Sequence, residues 1–80
     1  MEIKILGTGC AKCEKLAEAA ARAVEQAGVD AKITKVEKLD EIMAYGVAMT
    51  PALVIDDQVV SSGKVLDTAK IVSMITSRRH

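Results

Sequence analysis

The chain has 80 residues, half of them hydrophobic, with no Phe or Trp and a single aromatic side chain, Tyr45. That length supports one domain spanning residues 1–80, with a core built from Ile, Leu, Val, Met and Ala. Eleven basic residues balance eleven acidic ones, so no electrostatic footprint for nucleic acid or an anionic membrane is visible, and with a single aromatic side chain base stacking is not a plausible activity.

The amino terminus, MEIKIL, enters a strand-like run at once. It has neither a basic leader region nor an apolar stretch long enough for a signal peptide or a membrane span, so a cytoplasmic location is expected. Ile3, Ile5 and Leu6 mark this first strand, and Gly7 and Gly9 allow the backbone to turn into a helix beginning near Cys10. The helix carries apolar positions Cys13, Leu16, Ala17, Ala20, Val24 and Ala27 at spacings of three and four. Lys12, Lys15, Glu18, Arg22 and Glu25 fill the other face, and Gly28 supplies the stop.

From Val29 to Thr34 the residues alternate as in a half-buried strand, extended by Val36. A short helix follows, with Leu39, Ile42 and Met43 facing inward, Asp40 and Glu41 outward, and Gly46 at its end. Tyr45 reads as a packing residue at that helix end. Thr50-Pro51 then breaks the chain before Ala52-Leu53-Val54-Ile55, an uninterrupted apolar run suited to a strand covered on both faces. Asp56-Asp57 makes a turn, Gln58 to Ser61 returns as the hairpin partner, and Gly63 closes that strand. Asp67 caps a last helix with apolar positions Ala69, Ile71, Val72 and Ile75. The predicted order is βαβαββα. Met43, Met49 and Met74 are read as core or rim fillers, and His80 as a frayed terminal residue rather than a ligand.

The two cysteines, Cys10 and Cys13, fall in GTGCAKC, between the first strand and the first helix. The pair reads in three ways: a redox dithiol, a metal grip, or two small core residues. In a reducing compartment a three-residue separation closes too small a loop to act as a structural staple, and glycine-flanked cysteines at a helix mouth are poorly placed for core packing. Reaction or coordination is therefore favoured. A sulfur at a helix N-terminus is stabilised as thiolate by unpaired N–H groups, with Lys12 as a candidate tuner, so Cys10 is the expected nucleophile. Cys13, almost a turn further on, faces the core and is placed to resolve a mixed disulfide. Lys12 reads more readily as an ordinary solvated helix residue than as a tuner of the thiol.

The order βαβαββα, with Cys-x-x-Cys opening the first helix and Thr50-Pro51 just before the third strand, resembles the thioredoxin-like fold. Within it, the chain is most similar to the small redox-active disulfide proteins, the glutaredoxin-sized thioredoxins of archaea and anaerobic bacteria. The resemblance covers essentially the whole length. It implies an α/β fold with a four-stranded mixed sheet in the order 2-1-3-4, flanked by three helices, the first strand parallel to the second and antiparallel to the third. It also implies a cis proline at Pro51 beside the dithiol and a substrate-binding edge formed by Thr50, Pro51 and Gly63. The implied activity is thiol–disulfide exchange through a mixed disulfide. No cofactor is implied beyond the redox-active disulfide Cys10–Cys13, and no metal. Expected partners are disulfide-containing client proteins and an upstream dithiol reductase, with the chain acting as a monomer.

Four residues depart from the familiar thioredoxin pattern. Gly9 stands where a Trp usually precedes the first cysteine, Ala11-Lys12 replaces Gly-Pro between the cysteines, and Lys4 lies where a buried carboxylate is usual. The rival of a different class is a soft-metal-binding module, since heavy-metal-associated domains also place Cys-x-x-Cys between a first strand and a first helix. Against it stand Thr8, where that family usually has Met, and a chain that is predicted to end on a helix rather than a strand. A pure interaction module would leave both thiols without a purpose.

Overall fold

The computed structural model describes residues 1–78, so His80 lies outside the described residues. Seven elements follow in chain order: β1 (Glu2–Leu6), α1 (Ala11–Ala27), β2 (Lys32–Val36), α2 (Leu39–Ala44), β3 (Ala52–Ile55), β4 (Gln58–Ser62) and α3 (Thr68–Arg78). The four strands form one sheet in the order β2-β1-β3-β4. β1 pairs in parallel with β2 and antiparallel with β3, and β3 pairs antiparallel with β4. This is the βαβαββα thioredoxin fold, with Ile71 within the terminal helix and not in a strand.

The pleat of the two central strands sorts the core into two layers. Ile3, Ile5, Leu53 and Ile55 face one side, where they are covered by Leu16, Ala20 and Ala23 of α1 and Ile71 and Ile75 of α3. Leu6, Ala52 and Val54 face the other, under Ile42 of α2. All four residues of β3 are fully buried, as expected for a strand covered on both faces. Each such large aliphatic side chain contributes about 1.5–3 kcal/mol relative to exposure. The β3–β4 hairpin closes through Asp56 and Asp57 in left-handed conformation, with φ of 48° and 65°, as a two-residue turn between right-twisted strands requires.

Several local expectations are corrected. β2 begins at Lys32, not Val29. Gly28 caps α1 with φ 66° and its N–H reaches back to Val24 and Glu25, and β1 opens only at Glu2, which aligns with Lys32, so residues 29–31 have no strand beside them to pair with. The inward stripe of α1 includes Ala23, which is fully buried, while Val24 and Ala27 are only partly covered. α2 is six residues long and turned one step from the expected face. Ile42 is buried and Tyr45 packs beside it, whereas Leu39 and Met43 are 63% and 64% exposed. In α3, Ala69 is exposed and Ile71 and Ile75 are buried. Asp67 caps that helix by accepting the Lys70 N–H at 2.8 Å. Among the methionines, Met1 and Met74 pack on the core; Met49, like Met43, is exposed.

Candidate functional site

The parallel register of β1 and β2 brings their C-terminal ends level, Leu6 beside Val36, and the Gly7 N–H donates to the Val36 carbonyl at 3.0 Å. The chain then crosses Thr8 and Gly9, the latter with φ 87°, before α1 starts. Gly7 is buried and is the point where three parts of the site meet. A Cβ there would overlap Cys13 Sγ, lie 3.3 Å from Cys13 Cβ and 3.9 Å from Pro51 Cα. The absence of a side chain at residue 7 is what lets the helix mouth close against the start of β3.

Cys10 is the N-cap of α1, in extended conformation with φ −73° and ψ 167°. Its carbonyl accepts the Glu14 N–H at 3.1 Å, and its Sγ accepts the Cys13 N–H at 3.4 Å. The two sulfurs are 2.8 Å apart and share a hydrogen bond, with both cysteines as free thiols. Their surroundings differ: Cys10 is exposed, while Cys13 is 5% exposed. The hydrogen bond from the Cys13 side chain, followed by the backbone N–H of Cys13, holds the Cys10 thiol below its ordinary pKa. Burial, followed by the hydrogen bond to Cys10, pushes the Cys13 thiol up. The two directions favour Cys13 as the group that keeps its proton longer and Cys10 as the one that ionises first. Lys12 acts on the Cys10 sulfur through its backbone N–H, and its side chain is exposed on the helix.

The Thr50–Pro51 peptide is cis. Pro51 is buried and Thr50 exposed, and among the described residues the Thr50 backbone makes no hydrogen bond with another backbone group. The Pro51 carbonyl accepts the Gly63 N–H at 2.9 Å, so Gly63, at φ 73°, is tied to the same edge. The Met49 side chain lies over Gly63, where a Cβ would meet its Cβ at 3.1 Å and its Cε at 3.2 Å. Thus Gly7, Cys13 and Pro51 adjoin directly, and Gly63 joins them through Pro51.

Two features of this end of the sheet escape the sequence reading. Glu37, immediately after β2, brings Oε2 to 3.2 Å from the position a Cβ on Gly9 would take. Beside it, Lys35 binds both oxygens of the Glu14 carboxylate, at 2.9 and 3.0 Å. The parallel pairing of β1 with β2 is the signal that would have found them, since it sets residue 37 next to the loop after β1.

Lys4 serves elsewhere. Its ammonium donates to the Tyr45 hydroxyl at 2.8 Å, sits 5.5 Å from that ring's centroid and lies 3.7 Å from an Asp57 carboxylate oxygen. The hydrogen bond with Tyr45 raises its pKa. These residues border a cavity of about 300 Å³ lined by Lys4, Val36, Glu41, Ala44 and Tyr45, which neither cysteine lines. Among the described residues no third His, Cys, Asp or Glu joins the sulfurs to form a metal-binding group, and no helix is long and apolar enough to cross a membrane.

Residues 1–76 match the thioredoxin domain family. The chain is 34% identical over 76 residues to a thioredoxin of Methanothermobacter thermautotrophicus, covering 95% of this chain and 99% of that protein. It is 42% identical over 69 residues to a thioredoxin of Methanocaldococcus jannaschii, covering 86% of this chain and 79% of that one.

Proposed function

Because the chain belongs to the thioredoxin domain family, we propose that it is a thiol–disulfide oxidoreductase that carries electrons to client proteins through Cys10 and Cys13. The observation that carries this reading is the asymmetry of the two sulfurs: one exposed, with its pKa lowered first by the Cys13 side chain and then by the Cys13 backbone N–H, the other buried behind it with its pKa raised. Exchange needs that division, since the thiolate attacks from outside and the second thiol must be reachable only from within.

The steps follow from it. The Cys10 thiolate attacks one sulfur of a client disulfide, the S–S bond of the client breaks, and the departing client sulfur takes a proton. The Cys13 thiol then gives up its proton and attacks Cys10 Sγ. This releases the second client thiol and leaves a Cys10–Cys13 disulfide. The client gains two electrons and two protons; the dithiol supplies both electrons and the Cys13 proton, and solvent supplies the other proton. An upstream dithiol reductase returns the pair to its reduced state.

Thr50, Pro51 and Gly63 supply the docking edge. The Thr50 backbone groups, exposed and without a backbone partner among the described residues, suit strand-like pairing with an extended client segment. Lys12 adds its positive charge near the mouth as a secondary aid to the thiolate.

Single-cysteine variants test the reading. Cys10→Ser should abolish reduction of a protein disulfide such as that of insulin. Cys13→Ser should accumulate a mixed disulfide with the client through Cys10, visible by mass spectrometry and reversed by dithiothreitol. Faster alkylation of Cys13 than of Cys10 in the reduced protein would reverse the assigned roles.

A further inference from the structure

At the mouth of α1 the residue before the nucleophile has no side chain, and a carboxylate from just beyond β2 lies beside it. Gly9 has φ 87°, a backbone conformation that strains any L side chain, and Glu37 Oε2 lies 3.2 Å from where its Cβ would be. The backbone position of residue 37 beside this loop is set by the pairing of β1 with β2. Glu37 follows Val36, whose carbonyl holds the Gly7 N–H and whose Cα pairs with Leu6.

The local charges do not cancel. The Lys35 ammonium is engaged by both oxygens of Glu14. Among the described residues Glu37 has neither a hydrogen bond nor an ion pair; its charge acts at longer range on the Lys35 ammonium, which Glu14 already holds. Glu14, Lys35 and Glu37 together therefore carry one net negative charge on the β2 flank of the dithiol. On α1, Lys12 and Glu14 project about 200° apart around the helix axis. Because Glu14 reaches β2, the Lys12 cation belongs to the opposite flank.

We propose that Glu37 is a specificity-determining residue for the exchange reaction, favouring disulfides that carry a cationic group beside the attacked sulfur. This rests on the redox reading above. The exposed Cys10 sulfur reacts with whatever disulfide reaches it, and an unpaired carboxylate beside the adjoining loop biases that encounter by charge. The client class it selects is a disulfide flanked by Lys or Arg on the side that meets β2.

The test uses the reduced full chain in single turnover against three small disulfides: cystamine, which is cationic; 3,3′-dithiodipropionate, which is anionic; and bis(2-hydroxyethyl) disulfide, which is neutral. In each case the dithiol passes two electrons to the small disulfide, yielding two small thiols and the Cys10–Cys13 disulfide. At low ionic strength Glu37→Gln should lower the cystamine-to-dithiodipropionate rate ratio by roughly three- to tenfold, the scale of one unit charge acting across several ångströms of water. Glu37→Lys should lower it further. The difference between parent and variant should shrink in roughly 0.5 M salt, as screening requires. The neutral disulfide and alkylation by iodoacetamide should be unaffected, which separates client selection from a change in thiolate population. An unchanged ratio in Glu37→Gln, or one whose change persists at high salt, overturns the role of Glu37 and leaves the redox reading standing. No reaction of the parent with the neutral disulfide overturns both.

Discussion

Replacing Gly7 with Ala puts one methyl group into the tightest contact of the site. Gly7 is not in the left-handed region, so Ala is conformationally permitted and the perturbation is purely steric. The new Cβ would overlap Cys13 Sγ and lie 3.3 Å from Cys13 Cβ, with Pro51 Cα 3.9 Å away. Cys13 is anchored in the first turn of α1 and 5% exposed, with the Cys10 sulfur 2.8 Å away, so relieving the overlap requires the Cys13 side chain to turn or the helix to shift. Overpacking of this kind costs about 1–3 kcal/mol, which for a domain of this size lowers Tm by about 4–8 °C per kcal/mol.

The same substitution in a Cys13→Ala background meets no sulfur. Only the 3.3 Å contact with Cβ remains, and the cost should fall below about 1 kcal/mol, giving a coupling of about 1–2 kcal/mol in the double-mutant cycle. Urea unfolding of the four reduced proteins, followed by far-ultraviolet circular dichroism because the chain has no Trp, measures it. A penalty equal in both backgrounds would refute the assignment of Gly7 as the residue that makes room for Cys13.

The ionisation of the dithiol gives a second outcome. Since hydrogen bonding from Cys13 is the leading cause of the lowered Cys10 pKa, alkylation of Cys10 should persist to lower pH than that of a free thiol, and its midpoint should rise in Cys13→Ala. Iodoacetamide rates across roughly pH 5 to 10 read this directly, and no rise would assign the lowering to the helix N–H groups alone. Cys13, raised by burial, should favour folding below the ordinary thiol pKa, and this contribution should be lost as pH rises through its folded value. Urea midpoints of the reduced protein above neutral pH, compared with Cys13→Ala, check that sign. Asp67→Ala removes the 2.8 Å bond to the Lys70 N–H and should cost about 1 kcal/mol, or about 5 °C in Tm, with Cys10 reactivity unchanged. Thermal unfolding and alkylation of the same sample separate the two effects.

The sequence by itself determined the order of elements and the position of the dithiol, because both are written in local chemistry. The strand–glycine–helix sequence around Cys10 leaves one end of α1 capped by a thiol. The apolar run Ala52–Ile55 was legible as a strand buried on both faces, since no polar residue interrupts it. Periodicity failed where an element is short and covered on one side. α2 has six residues, and a helix of that length contains too few apolar positions to show that, of Leu39, Ile42 and Met43, all expected inward, only Ile42 is buried. β2 lost its first three expected residues because strand limits depend on the neighbouring strand, and β1 offers nothing before Glu2. Glu37 reached the mouth of α1 for the same reason. Residues 9 and 37 are distant in the chain, and only the parallel pairing of β1 with β2 places that carboxylate against Gly9. The contact of Gly7 with Cys13 and Pro51 likewise joins three segments by packing alone. Tertiary structure decided these encounters, since hydrogen-bond register and excluded volume act between segments that carry no local mark of one another.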